Sequence, residues 1–196
     1  ERAKKFLEEN DFRVKRSYNK QQTNSVAINT PKSVDLGLSV KWADRNVGAS
    51  SPTDYGSHFA WGEISTKSKY TRETSQTYDK TFSDIAGNSH YDAARAHWGG
   101  KWRLPTKTEL EELTNKCSWV RTTEGGHNGY KVIGPNGNSI FLPFTGWRYD
   151  MLLYGQGEAG GIWSSSPYTE TTSYPNHYSC ILSFDDQDRY NWGGGE

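Results

Sequence analysis

The chain has 196 residues, and its 23 basic and 23 acidic side chains give a formal net charge of zero. This length predicts one domain, or one domain with a short appendage, and the charge balance argues against sequence-independent nucleic-acid binding. No apolar run approaches the ~20 residues of a membrane-spanning helix, no secretory signal is recognisable, and two cysteines are too few for a disulfide scaffold.

The aliphatic content is low for a folded domain. Leu, Ile, Val and Phe make up about 16% of the residues, below the roughly 20% at which high net charge brings disorder. Here the net charge is zero and aromatic residues reach 14%. We therefore expect a core built largely from Trp and Tyr rings, which bury large areas but need partners for their polar edges.

Residues 1–33 are predicted to form an N-terminal helix and a linker, and residues 34–196 the folded domain. The first ten residues favour a helix, whereas the following segment is basic and has little to bury. A frayed helix with a solvated linker is the simplest interpretation. A stalk that leads to an upstream anchor is a compatible alternative.

Residues 34–90 show one clear strand pattern. Leu36, Leu38, Val40 and Trp42 alternate with polar residues, which predicts a strand with one buried face. Turn residues follow, and the segment SHFAWGE predicts a second short strand or an ordered turn. Residues 65–90 lack periodicity and predict a long surface loop.

Two helices are predicted next. The segment DAARAHW favours a helix that ends at Gly99–Gly100. Thr106 stands three residues before Glu109, which is the capping box of a helix start. Leu110 and Leu113 would form the buried face of that second helix, which should end near Asn115. Arg103, just before it, can reach a carboxylate or a strand carbonyl.

The C-terminal half predicts antiparallel strands. A hairpin is expected around the turn 134–137, where Asn-Gly is a strong signal. Two further strands are expected in the segments GGIWSSSPY and NHYSCILSF, and residues 185–196 are predicted to contain no strand. The fold class is therefore α+β, with two short helices packed on a twisted antiparallel sheet and long ordered loops.

Four blocks of the chain resemble one family. They read VDLGLSVKWADRNVGASSPTDYGSHFAWGE, YDAARAHWGGKWRLPTKTELEELTNKCSW, GYKVIGPNGNSIFLPFTGWR and GGIWSSSPY, and they lie between about Val34 and Phe184. They closely resemble the "major paralogous domain" family of Bacteroidetes and Fibrobacter surface and secreted proteins. That family is similar to the C-type-lectin-like fold and to the formylglycine-generating sulfatase-modifying enzymes, which share the core from Trp102 to Glu111. Family members usually close with a strand that is absent from the NWGGGE end of this chain, so the closing strand of residues 34–196 is expected to be missing.

The resemblance implies a recognition role and carries no established chemistry. It implies an extracytoplasmic domain, secreted or anchored at the cell surface, and similar proteins include variable receptors diversified by retroelements in their C-terminal strands and loops. The corresponding stretch here is Trp147 to Trp192, which mixes rigid aromatic with small polar residues as antibody loops do. The candidate ligand-binding residues are Trp147, Tyr149, Tyr168, Tyr174, Asn176, Tyr178, Arg189, Tyr190 and Trp192. The partner would be a protein or a glycan.

The hypotheses of calcium binding and of hydrolysis rest on weaker sequence patterns. Calcium would have to rely on Asp185, Asp186 and Asp188, because the proline motifs lack the acidic or amide residue that sugar-binding lectins use. Hydrolysis would need two carboxyl groups at a fixed separation, which Glu63, Asp150 and Glu158 do not establish. We therefore predict no cofactor, no metal and no catalytic residue.

Two alternatives to a recognition domain remain at this point. One is a carbohydrate-active or modifying enzyme on the same scaffold, and the other is a structural spacer. Oxidase chemistry of the formylglycine type would require two close reactive thiols, whereas Cys180 alternates with apolar residues as a buried residue does. Whether Cys117 and Cys180 form a disulfide is left open by the sequence.

Overall fold

The chain folds as several small antiparallel sheets and two helices, which confirms the predicted α+β class. The computed structural model describes residues 30–169 and 178–195, and the statements that follow concern those residues. The helices are α1 (Ala93–Trp98) and α2 (Lys107–Lys116). The strands are β1 (Ser33–Val34), β2 (Trp42–Ala43), β3 (Ser118–Glu124), β4 (His127–Ile133), β5 (Ser139–Pro143), β6 (Trp147–Tyr149), β7 (Leu152–Tyr154), β8 (Ala159–Pro167), β9 (Tyr178–Asp185) and β10 (Arg189–Gly195).

All strand pairs are antiparallel. Strands β3, β4 and β5 form one three-stranded sheet, and β8, β9 and β10 form another in which β9 is central. Strands β6 and β7 form a separate two-stranded hairpin, and β1 pairs with β2 over two residues. The predicted hairpin around residues 134–137 is confirmed as β4–β5, with Val132 paired to Ile140.

The core lies between α2 and the inner faces of the two larger sheets. Leu110 and Leu113 on α2 are buried, as the sequence predicted, and Leu182 and Phe184 on β9 are buried with them. Aromatic rings complete this core. The centroid of the Tyr130 ring lies 5.5 Å from that of Trp119 and 5.5 Å from that of Phe144, and the ring of Phe144 lies 6.1 Å from that of Phe184.

Helix α2 begins as its sequence predicts. The Thr106 hydroxyl accepts a hydrogen bond from Glu109 N, and the Glu109 carboxylate accepts one from Thr106 N, which completes the capping box. Arg103 donates to both carboxylate oxygens of Glu109, at 2.8 Å and 2.6 Å. Burial alone would raise the pKa of Glu109, but the hydrogen bonds from Arg103 and Thr106 outweigh it and leave that pKa below its usual value.

Helix α1 begins at a fully buried carboxylate. Asp92 Oδ1 accepts from Arg95 N at 3.0 Å and caps the helix. Asp92 Oδ2 accepts from Gly87 N at 2.7 Å and from Leu104 N at 2.9 Å. One side chain therefore joins the end of the 65–90 loop, the first turn of α1 and the extended segment before α2. The predicted stop at Gly99 is also observed, since Gly99 is the C-cap residue.

The strand predicted across residues 34–42 is wrong. Only its ends are paired, in β1 and β2, because Gly37 adopts a φ of 77° and its N–H donates to the Asp35 carboxylate in a turn. The alternation nevertheless reports burial correctly. Leu36 and Trp42 lie in the core, and Leu38 packs against it.

Four strands escaped the sequence analysis, namely β3, β10 and the two strands of the β6–β7 hairpin. Strand β3 pairs with β4 across a turn at Gly125–Gly126. Strand β10 contradicts the prediction that residues 185–196 contain no strand, because Arg189–Gly195 pair residue by residue with β9. Most of the predicted N-terminal helix and linker lies outside the described residues.

The question left open about the two cysteines has a clear answer. Cys117, at the end of α2, and Cys180, in β9, are both buried free thiols. Burial raises the pKa of the Cys117 thiol, and nearby Glu112 adds to that shift. A thiol held in its neutral form is a poor nucleophile, so Cys117 is suited to packing rather than to reaction.

Candidate functional site

The β6–β7 hairpin is tied to the 65–90 loop through its tip. Asp150 and Met151 form the two-residue connection, and Asp150 adopts a φ of 52°, a conformation that Asp tolerates better than most residues. The Asp150 N–H donates to Tyr70 O and the Tyr70 N–H donates to Asp150 O, both at 2.8 Å. Lys69 Nζ lies 3.6 Å from the Asp150 carboxylate. At the base, Gly146 N donates to Ala159 O at 2.7 Å, so the hairpin is held at both its base and its tip.

This hairpin presents a cluster of apolar side chains to solvent. We call the cluster the hairpin patch, and its members are between 40% and 67% exposed. They are Trp147, Tyr149, Met151, Leu152 and Tyr154. Soluble domains rarely leave several large apolar side chains exposed on one short element unless a partner covers them.

The Trp147 ring has a defined pose. Its centroid lies 6.2 Å from that of Tyr154, with 21° between the ring planes. A Cβ atom placed on Gly155 would lie 2.4 Å from Trp147 Cζ3, so the indole packs on a backbone that has no side chain. Since 54% of Trp147 is nevertheless exposed, the indole is supported from one side and accessible from another.

Replacing Gly155 by alanine should displace the Trp147 ring. Gly155 has a φ of 61°, so an added Cβ would be strained by roughly 1–2 kcal/mol and would also collide with the indole. We expect the indole N–H signal of Trp147 in a two-dimensional NMR spectrum to shift more than those of the other tryptophans.

Gly126→Ala is the matched control for this substitution. Gly126, in the β3–β4 turn, also has a positive φ, at 84°, but an added Cβ would meet no atom within 4 Å. It should cost similar backbone strain and leave the Trp147 signal in place. Equal shifts in the two variants would contradict the packing of Trp147 on Gly155.

A cleft of about 1170 Å³ reaches this hairpin. It is lined by the loop that contains residues 57–63 and by strands β8 and β9, and core residues such as Trp42 and Phe184 also border it. Large aromatic side chains dominate its lining. They include Trp42, Phe59, Trp61, Trp147 and Trp163.

Two of these tryptophans tie the walls of the cleft together. Trp163 Nε1 donates to Phe59 O at 3.0 Å, and Trp61 Nε1 donates to Ser164 O at 2.8 Å. Each bond joins β8 to the loop that contains residues 57–63, although the two bonded residues are about a hundred positions apart in sequence. The aromatic walls are therefore fixed by hydrogen bonds as well as by packing.

His58 lies on the same cleft. Burial lowers its pKa below the usual 6.5, and the neighbouring Arg148 guanidinium lowers it further, against an opposing hydrogen bond to Thr145 O at 3.1 Å. The carbonyl oxygen can only accept, so His58 Nε2 carries the proton of that bond. The cleft thus contains an imidazole that favours its neutral form, close to the Arg148 guanidinium.

The predicted binding residues lie in different parts of the structure. Trp147 and Tyr149 lie together in the hairpin patch. Tyr168 is half-buried just after β8, and Arg189 packs its guanidinium 5.5 Å from the centroid of the Trp119 ring. Tyr174 and Asn176 lie outside the described residues.

The register of the second sheet places the remaining predicted positions. Residues 190 and 192 pair with Ser183 and Ile181, two residues that line the cleft. Residue 189 pairs with Phe184, and residue 178 begins β9 itself, where it pairs with residue 195.

Sequence reasoning missed part of the patch and most of the cleft. Met151, Leu152 and Tyr154 were not among the predicted residues, although the run WRYDMLLY alternates aromatic and polar residues as far as Asp150 and is apolar after it. That alternation, with Asp at the turn, was a usable hairpin signal. The cleft had no such local signal, because its walls come from distant segments.

Two of the acidic groups considered for metal binding or hydrolysis are held by other residues. Glu63 is buried, and its carboxylate accepts from Lys67 Nζ and Gln76 N, both at 2.8 Å. Asp185 Oδ1 accepts from Gln187 N and Asp188 N, and these bonds lower its pKa. Across residues 30–169 and 178–195, no group of three or more His, Cys, Asp or Glu side chains is arranged to hold a metal ion.

Two further findings bear on the class of protein. Within the described ranges, neither helix has the length and apolar character needed to cross a membrane. Comparison of the chain with family models, with curated proteins and with solved structures found no match.

Proposed function

We propose that this chain is a non-enzymatic recognition domain that binds an external ligand through the hairpin patch and the adjoining cleft. The observation that carries the proposal is the hairpin patch itself, five large apolar side chains exposed on an element fixed at both ends. In the proposal the domain is a C-type-lectin-like member of the major paralogous domain family. It acts outside the cytoplasm, in keeping with the sequence blocks that resemble that family.

The chemistry of the patch suits binding. Aromatic side chains offer large contact areas at a low cost in conformational entropy, and they dominate the binding energy of known interfaces. A preformed surface avoids the cost of ordering on binding, and the backbone bonds between Asp150 and Tyr70 preform this one. Trp147 is the central anchor, because it belongs to both the hairpin patch and the cleft lining.

Catalysis is less well supported by the same residues. An enzyme on this scaffold would need carboxylates or thiols that converge on one pocket. Glu63 and Glu109, which line the cleft, are each held in an ion pair. Cys117 and Cys180 are buried and separate. In the described part of the chain, the two carboxylates therefore form structural ion pairs, and the two thiols are packed in the interior.

Replacing Trp147 and Tyr149 together by alanine should abolish ligand capture without unfolding the domain. Both side chains are more than half exposed, so their loss removes little core packing. Two aromatic anchors commonly contribute enough binding energy for a loss of about 100-fold in affinity. Capture on glycan and protein arrays measures the effect, and the melting temperature should change by no more than about 2–4 °C.

Val120→Ala with Lys131→Ala is the control pair, because both residues are exposed on the β3–β4 hairpin instead. It should capture ligand as the unmodified chain does. Undiminished capture by the Trp147/Tyr149 variant would refute the proposal, and a large fall in its melting temperature would place these residues in the core. A neighbouring reverse-transcriptase gene with a near-copy of the 3′ coding end would support the diversified-receptor form of the proposal.

A further inference from the structure

The chain carries three sulfur atoms, and the fold exposes one of them to a dissolved oxidant. Met151 is the single methionine, and the two cysteines are Cys117 and Cys180. Met151 is 67% exposed, the largest exposed fraction in the hairpin patch, whereas both cysteines are buried. Because oxidation of a sulfur depends on its accessibility, the fold directs an oxidant to Met151.

The two thiols are protected by their protons as well as by burial. Peroxides react with the thiolate form of cysteine, and the raised pKa of Cys117 keeps that side chain in the thiol form. Cys180 Sγ donates to Pro167 O at 3.8 Å, and this bond needs the thiol proton. The thioether of Met151 has no proton to lose, so its sulfur lone pairs are available at every pH.

Met151 lies where added polarity would change the hairpin patch. The cross-strand pairs Trp147–Tyr154 and Tyr149–Leu152 place these four side chains on one face of the β6–β7 hairpin. Met151 directly precedes Leu152 at the tip of the same hairpin. A sulfoxide oxygen accepts hydrogen bonds from water, so it would hydrate a surface that is otherwise apolar.

The fold does not depend on the Met151 side chain. The hairpin tip is held through the backbone atoms of Asp150 and Tyr70. The exposed thioether contributes little to the core. Oxidation of Met151 would therefore alter the surface and leave the fold in place, unlike oxidation of a buried methionine, which disrupts a core.

We propose that Met151 is a site of reversible oxidation that switches the hairpin patch between an apolar and a more polar state. The oxidant is a peroxide. A sulfur lone pair attacks one peroxide oxygen, the S–O bond forms as the O–O bond breaks, and the other oxygen takes up the proton and leaves as water or an alcohol. Sulfur loses two electrons and the peroxide gains them.

The reverse step has a known chemical class of catalyst. Methionine sulfoxide reductases return the sulfoxide to the thioether with two thiols, which become a disulfide as the oxygen leaves as water. Binding through the hairpin patch would thus be strong under reducing conditions and weaker under oxidising ones. This inference rests on the proposed recognition function and names a regulation of its site.

Dilute hydrogen peroxide applied to the folded chain tests the site. Intact-mass measurement should show the gain of one oxygen atom, about 16 Da, and peptide mapping should place it on Met151. Met151→Leu is the matched control, because leucine is apolar and has no sulfur, and it should gain no oxygen under the same conditions. In concentrated urea the cysteines should react as well, because unfolding exposes them.

Retention on a phenyl column measures the apolar surface without any ligand. The oxidised chain should elute earlier than the untreated chain, and Met151→Gln, which carries a polar side chain of similar length, should elute close to the oxidised chain. Peroxide should leave the retention of Met151→Leu unchanged. Treatment with the two reductases, one for each sulfoxide epimer, should restore the retention of the oxidised chain.

Capture on glycan and protein arrays measures the effect on binding. Oxidation of Met151 should weaken capture about tenfold, because a sulfoxide must give up bound water when a partner covers the patch. Reduction should restore capture, and peroxide-treated Met151→Leu should capture as it did before treatment.

Three results would overturn the inference. They are that oxygen adds to a cysteine or a tryptophan before Met151, that oxidation of Met151 leaves the column retention unchanged, or that the reductases do not restore it. Failure of the recognition function looks different, because the Trp147/Tyr149 variant would then capture normally while oxidation still shifts the retention. Equal capture by the oxidised and untreated chains, with capture lost in the Trp147/Tyr149 variant, would leave the recognition function standing and remove its regulation.

Discussion

Replacing Asp92 by alanine should lower the free energy of unfolding by about 3–5 kcal/mol. The side chain is fully buried and accepts from three backbone N–H groups, those of Gly87, Arg95 and Leu104. Loss of a helix N-cap costs about 1 kcal/mol, and each buried donor left unpaired costs about 1–3 kcal/mol. Because the three donors belong to separate segments, this single substitution removes all the hydrogen bonds by which Asp92 joins those segments.

Urea unfolding of Asp92→Ala, Asp92→Asn and Asp186→Ala measures this effect. Asp92→Asn keeps one acceptor oxygen but turns an amide group towards the remaining donors, so its loss should be intermediate. Asp186 is exposed in the β9–β10 turn, and its variant should change the stability by less than about 0.5 kcal/mol. If Asp92→Ala lost less than about 1 kcal/mol, water would have to satisfy these donors and the proposed junction would be wrong.

Replacing Phe144 by alanine should cost about 3–5 kcal/mol of stability. Its ring is fully buried against Tyr130 and Phe184, and removing a buried phenyl group leaves a cavity that the surrounding core fills only in part. Its backbone also connects segments, since Phe144 N donates to Asn128 O and Phe144 O accepts from Gly157 N, both at 2.8 Å. Phe144 lies three residues before the hairpin patch begins.

Thermal and urea unfolding give the size of the Phe144 effect, and Phe144→Leu is the matched control. Leucine retains much of the volume, so it should cost no more than about 1.5 kcal/mol. Ligand capture by the folded fraction should survive in Phe144→Leu, because the exposed side chains are unchanged. Equal losses in the two variants would show that ring contacts, and not the cavity, set the cost.

Local signals explain which elements were predictable. Helix α2 was predicted almost residue by residue because its cap, Thr106 with Glu109, lies within the element itself. The β4–β5 hairpin was predictable for the same reason, since its turn residues are contiguous. Strand β10 was not, because a segment that ends in Gly193–Gly195 has little intrinsic strand preference. Its conformation comes from pairing with β9.

The candidate site likewise has a part that the sequence indicated and a part that it did not. Trp147 and Tyr149 were identified because the family resemblance marked the stretch from Trp147 to Trp192, in which aromatic residues stand out among small polar ones. The cleft was not predicted, since Trp42, Phe59 and Trp163 come together only through the fold and through bonds such as that from Trp163 Nε1 to Phe59 O.

The bridge between Asp150 and Tyr70 uses backbone atoms alone. Most side chains of the β6–β7 hairpin can therefore be exchanged without loss of the bonds that anchor it. Geometry restricts only a few positions, namely Asp150 with its positive φ and Gly146 and Gly155, where a Cβ would meet Tyr154 O or Trp147. Substitutions at the other positions of the hairpin would therefore change its exposed surface at little cost to folding.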